Sequence, residues 1–332
     1  MTEWTENFFG ALYAEIYGEF LLSPERAVEE ASFASQVLDL GRRTVLDLAA
    51  GFGRHSRLLA RSNKVIAIDK NIRYLEAARR DLKPGIASNL CPVRADMRQL
   101  PLSDSRIDAA ILLFNSFGYF TTPAPEPPRG GDSKAPRAQM WKLPQVFYDR
   151  KIVDSEFGKF KSGSTAPGQN PASQNGMSGS SSVPAESSAF DAPHSIETSE
   201  TDQNAAVLQE VARCLKPGGE FLIELPNPTV LLDVIADAPR RVMISGDFEV
   251  HEQFQWHEEQ RVLSNVTLFK KDGREESGEY RLRLYNVEEI SQMLDDAGFR
   301  VVRKFGDYDG SRFLRAQSDV LILHAKKRSR SR

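Results

Sequence analysis

Short apolar runs alternate with longer amphipathic stretches along most of the chain. Five runs have the length and apolar character of buried strands, and turn-forming or polar residues follow them. The stretches between them place apolar residues three and four positions apart, as amphipathic helices do. This alternation predicts a parallel sheet covered by helices. The predicted strands are 45–48, 64–69, 90–94, 106–113 and 220–225.

Two helices are predicted ahead of the first strand. Aromatic and aliphatic residues recur at helical spacing over 5–17. Ser23 followed by Pro24 is typical of a capped helix start, and this second helix is expected to end near Leu40. At the other end of the chain, apolar runs at 299–305 and 320–326 predict two further strands.

Between residues 245 and 285 the spacing changes from helical to strictly alternating. Glu279, Arg281 and Arg283 alternate with apolar neighbours, which is typical of an antiparallel sheet with one exposed face. We predict an antiparallel β cap over 245–285, with strands at 248–256, 261–270 and 279–285.

Residues 121–200 interrupt the pattern. Proline, glycine, serine, threonine and alanine dominate 121–139 and 162–199, a composition that buries too little apolar surface to fold. Residues 140–160 are more apolar. Two alternatives remain open for them: they dock as a short helix or flap near the cleft, or they form a hydrophobic stretch that does not pack on the domain. We therefore predict a low-complexity, largely disordered insertion. A single domain is then formed by 1–120 and 201–332, with residues 1–43 as a helical roof.

Composition narrows the class of partner. The 332 residues carry 43 Lys plus Arg against 46 Asp plus Glu, a net charge of -3, which argues against a dedicated nucleic-acid-binding surface. The two cysteines show no metal-ligand spacing, so no metal site is expected. No apolar run is long enough to span a membrane, and no signal peptide precedes the first helix. We expect a cytoplasmic protein.

The turn after the first strand carries the clearest chemical signal. Asp47 precedes a cluster of small residues that includes Ala49, Gly51 and Gly53, and a predicted helix follows. Strand, glycine turn and helix together bring a nucleotide-like ligand against backbone at a helix N terminus. A dinucleotide loop of the form G-x-G-x-x-G fits less well, because Ser56 replaces the third glycine and the carboxylate would repel a pyrophosphate.

The sequence Asp-Leu-Ala-Ala-Gly-Phe-Gly at 47–53 resembles the first motif, D-x-G-x-G-x-G, of class I S-adenosylmethionine-dependent methyltransferases, with Ala49 in place of the first glycine. The Lys-Pro-Gly-Gly turn at 216–219 is also similar to that family. The resemblance implies an α/β fold with a doubly wound, Rossmann-like seven-stranded sheet. It implies the strand order 3-2-1-4-5-7-6, with the last strand antiparallel.

The same resemblance implies S-adenosyl-L-methionine as the cofactor. Asp69 lies at the tip of the second strand, where a carboxylate can accept hydrogen bonds from ribose hydroxyls. Asp96 and Met97, after the third strand, resemble the residues that meet adenine. The predicted cofactor-binding residues are Asp47, Ala49, Gly51, Gly53, Asp69, Lys70, Asp96, Met97, Phe114 and Asn115.

Residues for the methyl acceptor are predicted from the roof, the cap and the segment after the fourth strand. For each of them, core packing or surface exposure is the alternative interpretation. Phe114 and Asn115 are not followed by the N-P-P-Y-type pattern of enzymes that methylate nucleic-acid bases. The predicted substrate-binding residues are Tyr13, Tyr17, Tyr119, His251 and Arg283, and the candidate catalytic residues are His257 and Tyr119.

The function expected from these features is in-line transfer of a methyl group to an N, O or C atom of a small-molecule acceptor. Three alternatives remain open. The chain would bind the cofactor without turnover, modify RNA or protein with the help of its basic tail at 326–332, or act as an NAD-dependent oxidoreductase. The sequence does not indicate the acceptor or the oligomeric state.

Overall fold

A computed structural model of the chain describes residues 8–17, 23–121 and 202–329. Apart from residue 121, the predicted insertion at 121–200, including its apolar stretch at 140–160, lies outside the described residues. Within the described ranges, no helix is both long and apolar enough to cross a membrane.

Helices and strands alternate as predicted. The helices are Ala11–Ile16 (α1), Pro24–Val37 (α2), Arg54–Leu59 (α3), Ile72–Arg79 (α4), Pro84–Ala87 (α5), Gln203–Cys214 (α6), Pro228–Asp237 (α7) and Val287–Asp296 (α8). The strands are Thr44–Leu48 (β1), Lys64–Asp69 (β2), Leu90–Arg94 (β3), Ile107–Leu112 (β4), Leu215–Pro226 (β5), Arg240–Ser245 (β6), Phe248–His257 (β7), Val262–Lys271 (β8), Arg274–Arg283 (β9), Phe299–Phe305 (β10) and Val320–Lys327 (β11).

Seven strands form the central sheet in the order β10-β11-β5-β4-β1-β2-β3. β1 to β5 are parallel, and β11 runs antiparallel to both β5 and β10. Counted within this sheet alone, the order is 3-2-1-4-5-7-6, which confirms the prediction. The carboxyl ends of the parallel strands therefore lie at one edge, where ligands of such sheets bind.

Apolar side chains cover both faces of this sheet. On one face, Val207 and Val211 of α6 and Ile290 and Leu294 of α8 pack against the strands. The other face is covered by α2, α3 and α4. Sheet and helices thus form the predicted three layers.

Local capping explains where the helices begin. The Ser23 side chain accepts a hydrogen bond from the Arg26 N–H at 3.1 Å, and Pro24 occupies the first turn of α2, as predicted. Asn286 and Glu289 form a reciprocal capping box at the start of α8. These caps satisfy N–H groups that a helix leaves unpaired.

A second sheet of four antiparallel strands, β6-β7-β8-β9, forms the cap. The prediction had three strands over 245–285 and missed β6, whose sequence Arg-Arg-Val-Met-Ile-Ser does not alternate. β9 also begins earlier than predicted, at Arg274. Its first residues are charged and exposed on both faces, so they lack the alternation from which the strand was predicted. Aromatic residues of α1 pack against the inner face of this sheet.

Two glycines of the turn between β1 and α3 differ in what surrounds them. Both have left-handed backbone, with φ 54° at Gly51 and φ 72° at Gly53. A Cβ on Gly53 would lie 2.5 Å from the Cβ of Ala78 on α4, whereas a Cβ on Gly51 would meet nothing within 4 Å. Gly53 therefore permits the close approach of α3 and α4.

This difference predicts unequal effects of the same substitution. We expect Gly53→Ala to lower the free energy of unfolding by about 2–5 kcal/mol, since a left-handed backbone and overpacking both cost energy. Gly51→Ala, the matched control, should cost only about 1–2 kcal/mol for the backbone. Urea denaturation of both variants measures the difference, and equal losses would contradict the packing role of Gly53.

Candidate functional site

A cavity of about 1010 Å³ lies at the carboxyl ends of the parallel strands. Its floor is formed by residues that follow β1, β2, β3 and β4, and its upper wall by α1 and the inner face of the cap. Ligand pockets usually measure about 300–1,000 Å³, so this one lies at the upper end of that range.

Most of the predicted site residues line this cavity, including every predicted cofactor residue except Gly53. Three of the predicted acceptor residues line it as well. These residues are Asp47, Ala49, Gly51, Asp69, Lys70, Asp96, Met97, Phe114 and Asn115, with Tyr13, Tyr17 and Tyr119.

The two cap histidines do not line the cavity among the described residues. Both occupy odd-numbered positions of β7, on the face opposite Phe248 and Val250, which are buried. The His251 Nε2 lies 2.8 Å from an oxygen of Glu249, and the His257 Nε2 lies 2.9 Å from the Ser264 Oγ. The structure thus corrects their prediction as acceptor or catalytic residues, because strand alternation turns them outward.

Arg283 and Gly53 are also corrected. The Arg283 guanidinium donates to Glu289 at 3.0 Å and lies 4.7 Å from the centre of the Tyr285 ring. It thereby ties the end of the cap to α8 instead of lining the cavity. Gly53 is not among the described residues that line the cavity, and its lack of a side chain lets α3 pack closely against Ala78 of α4.

Asp69 joins the glycine turn to the end of β2. One carboxylate oxygen accepts from the Gly51 N–H and the other from the Asn71 N–H, both at 2.8 Å. Burial raises the pKa of Asp69, although these backbone donors oppose the shift. Since each carboxylate oxygen can accept more than one hydrogen bond, the group retains capacity for a ligand.

Asp47 lies deeper, below the turn. Its side chain is buried and accepts a hydrogen bond from the Ser56 hydroxyl of α3. Burial raises the pKa of this carboxyl, while His55 and the Ser56 hydrogen bond oppose the rise. The residue fixes the start of α3 relative to β1.

Asp96 is held by cations on both sides. Arg98 donates to its carboxylate at 2.7 and 3.0 Å, and the Lys70 Nζ lies 3.3 Å away. Although burial opposes it, the hydrogen bonds and charge of Arg98 lower the pKa of Asp96 to about 2. The Arg98 guanidinium also stacks 4.2 Å from the ring of Phe120. This carboxylate is therefore ionised and fixed in place.

Three residues of the cavity floor have strained backbone. Ala49, Phe114 and Asn115 have left-handed backbone with φ of 51°, 60° and 53°. Each such residue costs about 1–2 kcal/mol, and strain of this kind clusters at binding sites. The left-handed backbone at Ala49 explains why the D-x-G-x-G-x-G motif has glycine at this position. Asn115 is buried, and its side-chain oxygen has no hydrogen-bond partner among the described residues.

Arg54 follows the glycine turn and lines the cavity, and it is not among the residues predicted from the sequence. One of its terminal nitrogens donates to Glu30 of α2, and the other, Nη2, is buried without a partner among the described residues. Although burial opposes it, His55 and Arg54 lower the pKa of Glu30 to about 2. Two features of the sequence point to Arg54. It places a cation in the first turn of a helix, where the helix dipole disfavours it, and its partner Glu30 occupies a position of α2 that faces the core.

Aromatic rings form the upper part of the cavity. Tyr13 stacks on Tyr17 with ring centres 4.2 Å apart, and Tyr119 meets Tyr280 of β9 edge to face at 5.8 Å. Burial raises the pKa of Tyr13 and of Tyr119 well above that of free tyrosine. Both phenols therefore stay neutral near pH 7. In particular Tyr119, predicted as a catalytic candidate, lies in the cavity as a protonated group.

Glu252 is a second cavity residue that was not predicted from the sequence. It lies on the inner face of β7 and lines the cavity. Burial raises the pKa of its carboxyl to about 7, against the opposing effects of Arg241 and Asn265. The sequence feature that points to Glu252 is its place in the alternating strand: a charged residue stands between Val250 and Phe254, on the face that is otherwise apolar.

Comparisons with known proteins agree with this geometry. Residues 45–127 match the family model described as "Methyltransferase domain", a range that contains β1 to β4 and the cavity floor. None of the curated proteins matches the chain in sequence.

Several solved structures share the fold. The CcbJ methyltransferase from Streptomyces caelestis aligns with a TM-score of 0.62 and 15% identity, over 97% of each chain. An S-adenosylmethionine-dependent methyltransferase from Clostridium acetobutylicum ATCC 824 aligns with 0.60 and 15%, over 96% of this chain and 98% of that one. CalS10, an amino pentose methyltransferase from Micromonospora echinaspora, aligns with 0.51 and 14%, over 97% and 99%.

At these identities the structural likeness concerns the fold, whereas the family match concerns the sequence of the cavity floor itself. The two findings meet at the carboxyl ends of the parallel strands, where the glycine turn and Asp69 lie. Residues 45–127 thus match a methyltransferase domain in sequence, and the chain shares its fold with S-adenosylmethionine-dependent methyltransferases.

Proposed function

We propose that the protein transfers a methyl group from S-adenosylmethionine to a small-molecule acceptor enclosed between α1 and the cap. The observation that carries the cofactor's placement is a pair of unsatisfied groups in one cavity. The Arg54 Nη2 is a buried donor and the Asn115 Oδ1 is a buried acceptor, and neither has a hydrogen-bond partner among the described residues.

A donor and an acceptor of this kind match the α-carboxylate and the α-ammonium group of an amino acid. A buried polar atom without a partner costs about 1–3 kcal/mol, so these two atoms favour a ligand that satisfies both. The cofactor's methionine portion carries an α-carboxylate for Arg54 and an α-ammonium for Asn115. Arg54 is itself held by Glu30, which orients the guanidinium before any ligand arrives.

The remaining floor residues fit the adenosine portion. Asp69 is ionisable, lies at the tip of β2 and keeps accepting capacity for ribose hydroxyls. Met97 supplies an apolar side chain beside the fixed carboxylate of Asp96 at the end of β3. In this arrangement Gly51 leaves open space where a side chain would project.

The cofactor supplies a sulfonium methyl group that is already electrophilic. The residues of this chain must therefore hold the acceptor in line with the methyl–sulfur bond and exclude water. Positioning of this kind can provide roughly 7–11 kcal/mol of the barrier reduction. The aromatic residues of α1 and β9 close the upper side of the cavity and serve that purpose.

A small acceptor is favoured by the enclosure. The cap and α1 pack together through a shared aromatic cluster, which covers the upper side of the cavity. The solved structure of CalS10, described as an amino pentose methyltransferase, has the same fold and supports a small-molecule acceptor.

Replacing Asp69 tests the ribose assignment. We expect Asp69→Asn to weaken binding of S-adenosylhomocysteine by about 1.5–3 kcal/mol, the usual value of hydrogen bonds to a charged group. Isothermal titration calorimetry measures the affinity. Asp39→Asn, at a 94% exposed side chain away from the cavity, is the matched control and should bind normally. Unchanged affinity in a folded Asp69→Asn protein would remove Asp69 from the site.

Replacing Arg54 tests the amino-acid end. Arg54→Lys keeps a cation for Glu30 but loses the second terminal nitrogen, so binding of S-adenosylhomocysteine should weaken by about 1.5–3 kcal/mol. Binding of 5′-methylthioadenosine, which lacks the amino-acid group, should not change, and it serves as the control within the same variant. Parallel losses for both ligands would show that Arg54 does not contact the carboxylate.

A further inference from the structure

We propose that Glu252 is the acceptor-side general base, which binds the ammonium group of an aliphatic amine acceptor and removes one of its protons before methyl transfer. The inference rests on the proposed function and deepens it, since it assigns a substrate class and a catalytic residue to the upper half of the cavity.

The position of Glu252 is set by strand pairing. In β7 it shares the inner face of the cap with Val250 and Phe254, which are buried. Its register partners are Arg241 on β6 and Thr267 on β8, both buried. The carboxylate is therefore carried by the middle of a sheet and lines the cavity from above, opposite the floor that holds the cofactor residues.

The charges around Glu252 suit proton transfer near neutral pH. Burial raises the pKa of Glu252 to about 7, while the Arg241 charge and the nearby Asn265 side chain oppose the rise. A general base is most effective when its pKa lies near the working pH. Other ionisable groups that line the cavity on this side are Tyr13 and Glu15 on α1, Tyr17 directly after α1, Tyr119 after β4 and Tyr280 on β9. Glu15 is paired with Arg274 at 2.7 Å.

The walls beside Glu252 favour a cationic ligand. Tyr13, Tyr17, Tyr119 and Tyr280 line the same cavity, and the faces of aromatic rings attract ammonium groups. Because burial keeps Tyr13 and Tyr119 protonated, Glu252 is the better base among these groups. A neutral hydroxyl acceptor could donate a hydrogen bond to the carboxylate, but it would gain neither the cation–π attraction nor the attraction between opposite charges.

The step balances without any further reactant. An ammonium proton passes to the Glu252 carboxylate, which leaves a neutral amine with its lone pair. That lone pair forms the new C–N bond to the methyl carbon as the C–S bond breaks, and the C–S electron pair goes to sulfur, which becomes a neutral thioether. The product is a methylated ammonium ion, and Glu252 later releases its proton to water.

The first test measures binding, with ligand pairs that differ only in the group of interest. Benzylamine is compared with benzyl alcohol, and glucosamine with glucose, by calorimetry at pH 8 on protein saturated with S-adenosylhomocysteine. We expect at least one amine to bind about tenfold or more tightly than its alcohol, since a charge-assisted hydrogen bond is worth that much. The preference should shrink at pH 6, where Glu252 is largely protonated.

Three variants test whether Glu252 causes the preference for amines over alcohols. Glu252→Gln should abolish it, and Glu252→Asp, which keeps a carboxylate, should restore part of it. Glu249→Gln is the matched control, because Glu249 lies on the outer face of the same strand and should leave the preference intact. Circular dichroism and binding of S-adenosylhomocysteine show whether each variant is folded.

The second test follows transfer of a labelled methyl group to a panel of amines and matched alcohols. With an amine acceptor, Glu252→Gln should lower kcat/KM by about 10²–10⁴-fold, the usual contribution of a general base. In the wild type kcat/KM should rise with pH through about 7 as Glu252 ionises, and the variant should lose that rise.

Four results would overturn the inference: no amine preference in the wild type, the same preference in Glu252→Gln, wild-type turnover in that variant, or labelling of alcohols alone. A wild type that fails to bind S-adenosylhomocysteine would instead overturn the proposed function.

Discussion

The two hydrogen bonds that Asp69 accepts from backbone N–H groups are the constraint on which the site depends. They join the glycine turn after β1 to the start of α4 across the tip of β2. The same carboxylate thereby fixes the backbone around Gly51 and presents its remaining lone pairs to the cavity. Under the proposed function, this half-buried carboxylate serves both architecture and recognition, because backbone donors replace part of its solvation.

Buried carboxylates elsewhere differ according to their partners. Glu30 has a pKa of about 2 because His55 and Arg54 outweigh the effect of burial. Burial and the nearby charge of Glu30 raise the pKa of Glu224 to about 7, although it accepts hydrogen bonds from Tyr308 and the Phe114 N–H. The distance of a buried carboxyl group from cations, and not its burial alone, thus decides whether it is charged behind the cavity floor.

The floor could be predicted from the sequence because its signals are local. Asp47, Gly51, Asp69 and Asp96 each lie at the end of a strand or in a turn that short-range patterning reveals. Arg54 escaped notice because its partner Glu30 is remote in sequence and becomes adjacent only on folding.

The cap could be predicted as a sheet but not in its detail. Alternation along β9 predicted one exposed face. His251 and His257 of β7 were predicted from their chemistry, although their phase is opposite to that of the buried Phe254. Glu252 has the right phase and was overlooked. Whether a strand residue faces a cavity depends on which side the neighbouring layer covers, and that is a tertiary property.

The four cap strands follow one another without interruption between α7 and α8. The cap side of the cavity's upper wall is therefore one continuous segment. One point at which this segment joins the floor is Gly118, whose carbonyl oxygen accepts from the Arg283 N–H at 2.8 Å and where a Cβ would lie 2.4 Å from the Arg283 carbonyl oxygen. Acceptor preference can consequently diversify by exchange of this cassette while the cofactor half stays constant, provided that the glycine contact is kept.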